Sequence, residues 1–411
     1  MKEHRPTSTK TKWGNRPAFR LNNGVVQLTM LTGGGHIADF RLLDPTGSSV
    51  NALWEAPWPT LDPDKFRSGY IRKYGPRPVG KFLASFTGHA VCVDYFGGPS
   101  EAEAAEGLAL HGEAANSRWK LLRLTQSSAE ARLSLAARLP AAGLRFRREL
   151  RLHRNESVVY IEESVANERA QDHFFHWTEH VTLGLPLLHA DESIIALPGT
   201  RAITWPHGYE GASLVRDNQE FTWPEAPAIE GGMVNLARPF ARDGKGFVVG
   251  VLLDPQRKLG FVAALNWQLG LLLGYSFRRS DFPWVAIWEE NVARRGSPWD
   301  GKTRARGLEF GSTPMPVGKE ETFARGSLFD TPTFRRIPAR SELRVPYVAY
   351  LAKVSSRWRS IHDIQVRRDS IVVTEERGEQ LELEARGLKK LGLSRRRFPV
   401  ETRLAASPAA E

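Results

Sequence analysis

Short runs of apolar residues, broken by polar clusters and turn residues, recur along most of the chain. In "LRFRRELRLH" (144–153), Leu144 and Phe146 alternate with Arg145 and Arg147, and Leu150 and Leu152 resume the period. That is the two-residue repeat of a half-buried strand. The runs "NGVVQLTML", "RWKLLRLTQ", "EARLSLAARLP" and "SVVYIEESVANE" follow the same logic, as do "GFVVGVLLDP", "LGFVAALN", "LGLLLGYSF" and "WVAIWEE". Gly, Pro, Asn and Asp punctuate them. Many short strands with turns between them predict an all-β antiparallel sandwich rather than alternating βαβ units. No long segment carries a 3.6-residue period. Two short stretches are helix candidates: "EAEAAEG" (101–107), which reads equally well as a charged loop, and "SSRWRSIHDI" (355–364).

The 411 residues suffice for one large β domain or two smaller ones. With no clear repeat and no long linker, one β-sandwich domain over 21–385 is expected, flanked by a basic, flexible segment at 1–20 and a basic tail at 386–411. Those ends hold much of the charge. Residues 1–20 carry six Lys/Arg against one Glu, and 386–411 carry seven against two, out of a formal +11. The body between them is close to neutral, whereas a nucleic-acid binder should show a basic face on its folded part. No nucleic-acid partner is expected. No apolar run is long enough to span a bilayer. The first twenty residues lack the apolar core of a secretory signal. The single cysteine, Cys92, excludes an internal disulfide framework. A cytoplasmic protein without membrane contact is the expectation.

The stretch "HFFHWTEHVTLGLPLL" (173–188) contains His176, Glu179 and His180, spaced as H-x-x-E-H. On a helix this is a zinc-protease signature. Its neighbours Phe174, Phe175, Trp177, Thr178, Val181 and Thr182 favour a strand, and Gly184 and Pro186 would end any helix. Along a strand the two histidines would stand roughly 13 Å apart, too far to share one zinc ion. No metal is expected.

Three other places carry candidate chemistry. His111 in "GLALHGEAANSRW" ends a short apolar run beside Gly112, where a side chain can enter a pocket; a structural histidine is the plain alternative. His180 lies in strand-like sequence, with Glu179 on the opposite face. Glu309 in "RARGLEFGSTPMP" (304–316) sits between Leu308 and Phe310, flanked by Gly307 and Gly311. A carboxylate among apolar residues loses solvation and rises in pKa, which suits a general base near neutral pH. A salt bridge to Arg304 or Arg306 is its competitor. Twelve tryptophans outnumber eight tyrosines, and flat ring faces stack on the C–H faces of sugars. Trp177, Trp284 and Trp288 are the stacking candidates. Trp205, Trp223 and Trp299 also lie beside polar residues, although core packing would account for most. Glu289 and Glu290 offer a second carboxylate source, or else a solvated pair facing Arg294 and Arg295. The "GGGH" at 33–36 is followed by a strand-like run and does not read as a dinucleotide loop.

Taken in order, "HG" at 111–112, "EHVTLG" at 179–184 after "SVANER", and "GLEFGS" at 307–312 resemble the aldose 1-epimerase (galactose mutarotase-like) superfamily. The likeness runs from "LTGGGHIADFRLLD" (31–44) through the "LEFG" segment toward "RVPYVAYL" (344–351). It implies a large antiparallel β-supersandwich with few short helices and a sugar pocket on one sheet face. By that resemblance His111 contacts the ring oxygen or a hydroxyl, His180 is the general acid, and Glu309 is the base that takes the anomeric hydroxyl proton. No metal or organic cofactor is implied, and the partner is a monosaccharide or modified sugar. The sequence departs from the family in two places. Where the family carries an Arg before the first His, this chain has "TGHAVCVDYFGG" with His89 and Asp94. Where the second His heads an aromatic run, this chain reads "HVTL". Both departures fit a divergent branch acting on a different or modified sugar, and make His89, Asp94 and Glu179 substrate-binding candidates. Non-catalytic sugar binding or sensing on the same fold is the alternative function; a carbohydrate lyase or hydrolase is a third.

Overall fold

Two antiparallel sheets face each other in the computed structural model, which describes residues 5–43 and 49–393. The larger runs, neighbour to neighbour, through Thr7–Trp13, Arg16–Asn22, Val26–Leu31, Ile37–Leu42, His89–Asp94, His173–Gly184, Arg304–Gly311, Trp284–Asn291, Lys245–Leu253 and Gly199–Thr204, and ends in three short strands. The smaller runs through Ser193–Ala196, Leu259–Asn266, Leu271–Arg278, Glu342–Lys353, Val158–Asn167, Leu144–His153, Glu130–Leu139 and Lys120–Gln126. This is the all-β antiparallel sandwich that the alternating runs predict and the supersandwich that the resemblance implies, and the H-x-x-E-H segment is strand from His173 to Gly184.

The period-two pattern sorts each strand into two faces. From the central strand His173–Gly184, Phe175, Trp177, Val181 and Leu183 enter the core between the sheets. They meet residues such as Phe146, Leu150, Ile161, Phe277 and Tyr347 from the smaller sheet. His176, Thr178, His180 and Thr182 therefore face outward on the larger sheet. Yet His180 is only 4% exposed, because long connections cover that face. Trp54, Trp58, Phe66, Tyr74, Phe82 and Phe86 from one connection pack there with Trp288, Trp299, Met315 and Val317 as a second apolar cluster.

The ends and the helix candidates differ in part from expectation. Within the segment 1–20 expected to be flexible, residues from 7 on form, with 21–22, a hairpin at the edge of the larger sheet, and Phe19 and Leu21 join the core. Lys10 and Lys12 lie on the exposed side of that pairing, while Arg16 is buried against Asp62. Leu388 and Leu391 of the expected tail pack into a third cluster, while 394–411 lie outside the described residues. Helix forms at Glu101–Ala105, closed by a Ser100/Glu103 capping box. In contrast, 355–362 is turn and loop and 363–364 open the strand Asp363–Val366, with Trp358 and Ile361 packed beneath a three-stranded C-terminal sheet. The helical stretch at 63–83 has no counterpart among the expected elements; its prolines and glycines read as loop.

Candidate active site

His180 and Glu309 are opposite residues on neighbouring antiparallel strands. On its other side Glu309 faces Ala286, and His180 faces Ala90. These two small side chains leave room around the pair. Their nearest atoms, His180 Nε2 and Glu309 Oε1, stand 3.2 Å apart. Glu309 Oε1 nevertheless has no hydrogen-bond partner. Gly307, two residues before Glu309 on the same face, makes the carboxylate position available: a Cβ there would lie 2.0 Å from Oε1. Arg306 instead turns inward to Glu289, at 2.8 Å from Nε, and Arg304 binds Asn291 and Asp243. Neither arginine pairs with Glu309.

His111 arrives from a turn. Its backbone is left-handed, φ 66°, and Gly112 follows at φ 79°. A Cβ on Gly112 would lie 2.2 Å from the Val93 carbonyl, so only glycine allows this turn to press against the strand His89–Asp94. His111 Nδ1 bonds the Phe96 carbonyl. A carbonyl can only accept, so Nδ1 carries the proton and Nε2 is left as an acceptor. The His111 and His180 rings stand edge to face, 5.0 Å apart.

Burial drives this trio toward neutrality. It raises the Glu309 carboxyl well above its ordinary range. It lowers His180 well below 6.5, and the adjacent His111 lowers it further. His111 is brought down to about 4 by burial, against the opposing pull of the Phe96 carbonyl. Burial thus favours a carboxylic acid beside a neutral imidazole.

These three side chains line a cavity of about 440 Å³, within the usual range for small-molecule sites. Phe82, Phe86, Trp205, Trp288 and Trp299 form apolar walls, and Tyr209, Glu210, His207 and Arg294 complete one end. That end is cross-braced. Trp288 Nε1 donates to Tyr209 Oη at 2.8 Å, and Tyr209 Oη donates to Glu290 at 2.8 Å. Glu290 also accepts from the Ala293 and Arg294 backbone amides. The Arg294 guanidinium lies over the Tyr209 and Trp299 rings, at 4.6 and 5.0 Å, a cation–π arrangement.

Of the residues singled out from sequence, His111, His180, Glu309 and Trp288 meet at this cavity, with Trp205 and Trp299 among its walls. His89, Asp94, Trp177, Glu179 and Trp284 do not line it. His89, Trp177 and Glu179 point the opposite way, into a charged cluster between the sheets. There Glu179 accepts from Arg148 at 2.7 Å, His89 at 2.8 Å, Trp177 at 2.9 Å and Tyr347 at 3.0 Å. Asp94 is taken up by His173 at 2.6 Å and by Lys319. Trp284 donates to the Pro332 carbonyl. Strand parity explains the inward group: 89, 177 and 179 fall on core positions. Tyr209, Arg294, Phe82 and Phe86 escaped the sequence reading because they come from connections with no periodic pattern. Glu289 and Glu290, adjacent in sequence, go to opposite faces; only Glu290 braces the cavity.

A family model described as a domain of unknown function, DUF4432, matches residues 74–297. No curated protein matches the chain. Among solved structures, a candidate aldose 1-epimerase from Klebsiella pneumoniae is 13% identical with a TM-score of 0.58, covering 83% of this chain and 80% of its own. A galactose mutarotase-like protein from Clostridium acetobutylicum is 11% identical with a TM-score of 0.56, covering 86% of this chain and all of its own. A galactose mutarotase related enzyme from Lactobacillus acidophilus is 13% identical with a TM-score of 0.52, covering 82% and 98%. The shared property is the galactose mutarotase-like fold, of which this chain is a divergent member.

Proposed function

The chain belongs to the DUF4432 family, and on that premise we propose that it binds an aldose and interconverts its anomers by aldose 1-epimerase-like acid–base chemistry. The observation that carries this reading is the buried pair His180–Glu309, 3.2 Å apart and facing an aromatic cavity with Glu309 Oε1 unpartnered. Opening a pyranose requires the O1 proton to leave while the ring oxygen gains one. In the ionised form of the pair, the Glu309 carboxylate takes the O1 proton and the His180 imidazolium protonates the ring oxygen. The C1–ring-oxygen bond breaks and the aldehyde forms. The pair is then a carboxylic acid and a neutral imidazole, the form that burial favours. Rotation about C1–C2 and reversal of both transfers close the ring on the other carbonyl face. Protons balance without solvent. His111 Nε2 accepts from a sugar hydroxyl, and the Trp288 and Phe86 walls suit the C–H face of the ring.

The test is proton NMR of anomeric exchange over a panel of aldoses and sugar acids, with wild type beside Glu309→Gln. We expect enhanced exchange in the wild type and a loss of about 10²–10⁴-fold in the variant, the span of one acid–base group. Equal exchange in the two proteins would sink the assignment. Burial favouring the neutral pair supports a second reading, sugar binding without turnover. Line broadening on a sugar with no enhanced exchange would select it.

A further inference from the structure

We propose that Arg294 and Glu210 together set the substrate range of the cavity: the terminal N–H groups of Arg294 donate to hydroxyl oxygens of an uncharged sugar, one of those hydroxyls donates in turn to Glu210, and sugars carrying a carboxylate or phosphate at that end are turned away. The inference rests on the sugar-binding part of the reading above and not on its acid–base step.

Both side chains are aimed by backbone that few residues adopt. The strand Trp284–Asn291 gives way to Val292 at φ 52°, a left-handed conformation costly for a β-branched residue. The Val292 amide is held by the Thr303 carbonyl at 2.8 Å. Both backbone groups of Arg294 are then fixed, its amide donating to Glu290 and its carbonyl accepting from Gly301. Glu210 is itself left-handed at φ 49°, between Gly208 at 66° and Gly211 at 78°. Strain of this kind gathers at ligand sites, where the surroundings over-determine it. The guanidinium plane lies over the Tyr209 and Trp299 rings, which leaves its edge for hydrogen bonding.

At this end of the cavity most polar groups are already spent. Trp288 Nε1 and the Tyr209 hydroxyl belong to the chain that runs to Glu290. His207 turns to Glu321 at 3.3 Å. Arg294 Nε donates to Glu210 Oε1 at 3.0 Å, while Nη1 stands 3.8 Å from Glu290 Oε2, beyond hydrogen-bond reach. Among the described residues, the terminal N–H groups of Arg294 and Oε2 of Glu210 therefore have no hydrogen-bond partner. Both residues line the cavity. A hydroxyl needs an acceptor for its hydrogen and donors for its lone pairs, and these two side chains supply both side by side. An ionised carboxylate or a phosphate dianion only accepts, and would set a second anion against Glu210 Oε2. Glu210 and Glu290 already place two carboxylates around one guanidinium, so a further negative charge there meets repulsion rather than a spare cation.

The test reads binding rather than turnover. Trp205, Trp288 and Trp299 line the cavity, so tryptophan emission reports its occupancy. D-glucose, D-galactose, D-mannose and D-xylose are titrated first. The monodeoxy analogues, the uronate and the terminal phosphate ester of the tightest binder are then titrated into wild type, Arg294→Lys and Glu210→Gln. Arg294→Lys keeps a cation beside the two glutamates and loses the planar fork. We expect at least one deoxy analogue to bind wild type about tenfold more weakly than its parent, the scale of a hydrogen bond to a charged group. In Arg294→Lys the parent should bind that much more weakly, and the same analogue should lose nothing further. The uronate and the phosphate ester should bind wild type at least about tenfold more weakly than the parent, and Glu210→Gln should narrow that gap. Should Arg294→Lys fail to fold, Glu210→Gln at a largely exposed side chain carries the test. Deoxy penalties that are the same in wild type and Arg294→Lys would overturn the proposal. So would an anionic sugar that binds wild type more tightly than its neutral parent, an unchanged gap in Glu210→Gln, or no binding of any neutral sugar. Anomeric exchange with unaltered deoxy selectivity in Arg294→Lys would sink this proposal alone. Arg294-dependent binding without exchange would sink only the acid–base step.

Discussion

The strand His173–Gly184 carries ionisable groups on both faces, and the two faces are treated differently. On the core face, Glu179 accepts four side-chain donors, and Arg148 bridges it to Glu163 while also donating to the Gly35 carbonyl at 3.0 Å. His89 completes the set, with Nε2 on Glu179 and Nδ1 near the Tyr275 hydroxyl at 3.4 Å. On the outer face, one peptide unit away, His180 meets Glu309 without saturating it. Burial is nearly complete on both sides, so it does not tell them apart. What differs is the pairing of the carboxylate on each face: both oxygens of Glu179 are taken, whereas Glu309 Oε1 has no partner. A buried carboxylate whose hydrogen-bonding capacity is consumed can only hold strands together. A buried pair that leaves capacity unused beside a cavity has something to offer a ligand.

The widest separation should come from breaking each face in turn. Arg148→Met leaves the Glu179 charge without its cation between the sheets, and breaking a buried pair in this way costs about 3–5 kcal/mol. Chemical denaturation should show that loss directly. Glu309→Gln removes no hydrogen-bond partner, so its stability should stay within about 1 kcal/mol of wild type while anomeric exchange is lost. If Glu309→Gln were as destabilising as Arg148→Met, the two faces would be doing the same job and the distinction would fail.

Gly307→Ala sharpens the outer face alone. The new methyl would stand 2.0 Å from Glu309 Oε1, so the carboxylate must swing away from His180. A displacement of about 1 Å can cost about a hundredfold in rate, and the overpacking should cost about 1–3 kcal/mol. Anomeric exchange and denaturation measured together on this variant check both. Retained activity would mean that Glu309 acts from a position other than the one Gly307 clears.

Much of this contrast was legible from parity. The alternation in 144–153 marks Leu144, Phe146, Leu150 and Leu152 as core, and Arg148 occupies the same parity. A charge on a core position announces a buried network, and Glu163 and Glu179 repeat the signal on their own strands. The trio at the cavity was legible from residue type and order, because glycine beside His111 and around Glu309 leaves traces in sequence. Of the aromatic walls, only the tryptophans Trp205, Trp288 and Trp299 drew notice. Phe82, Phe86, Tyr209 and Arg294 reach the cavity from irregular connections, where no period ties a residue number to a direction. The hairpin at 7–22 was hidden for a related reason. Its lysines and arginines, of which Lys10 and Lys12 are exposed and Arg16 is buried, dominate composition, while the inward Phe19 and Leu21 are too few to stand out.

The smallest effect tests whether the core-face network is neutral where it needs to be. Burial pushes the Glu163 carboxyl up to about 8, and the nearby Glu179 adds to the rise while Arg148 opposes it. In the unfolded chain the same group releases its proton near 4.3. Folding therefore holds a proton that unfolding releases. The resulting stability is fully present below about pH 4.3 and is lost as pH rises toward about 8, by at most about 1.4 kcal/mol per unit. Glu163→Gln mimics the protonated acid. It keeps an acceptor for Tyr347, 2.8 Å away, and for Arg148, and replaces the titrating hydroxyl with an amide. Stability at low pH should be unchanged, and the slope through neutral pH should become shallower. Glu309, also raised by burial, adds its own share to that slope, so the double variant Glu163→Gln/Glu309→Gln should flatten the profile further. A slope that survives in Glu163→Gln but vanishes in Glu309→Gln would mean that the core-face network is ionised throughout. Its stability would then rest on two carboxylates sharing one arginine, an arrangement that should become more stable when either carboxylate is made neutral.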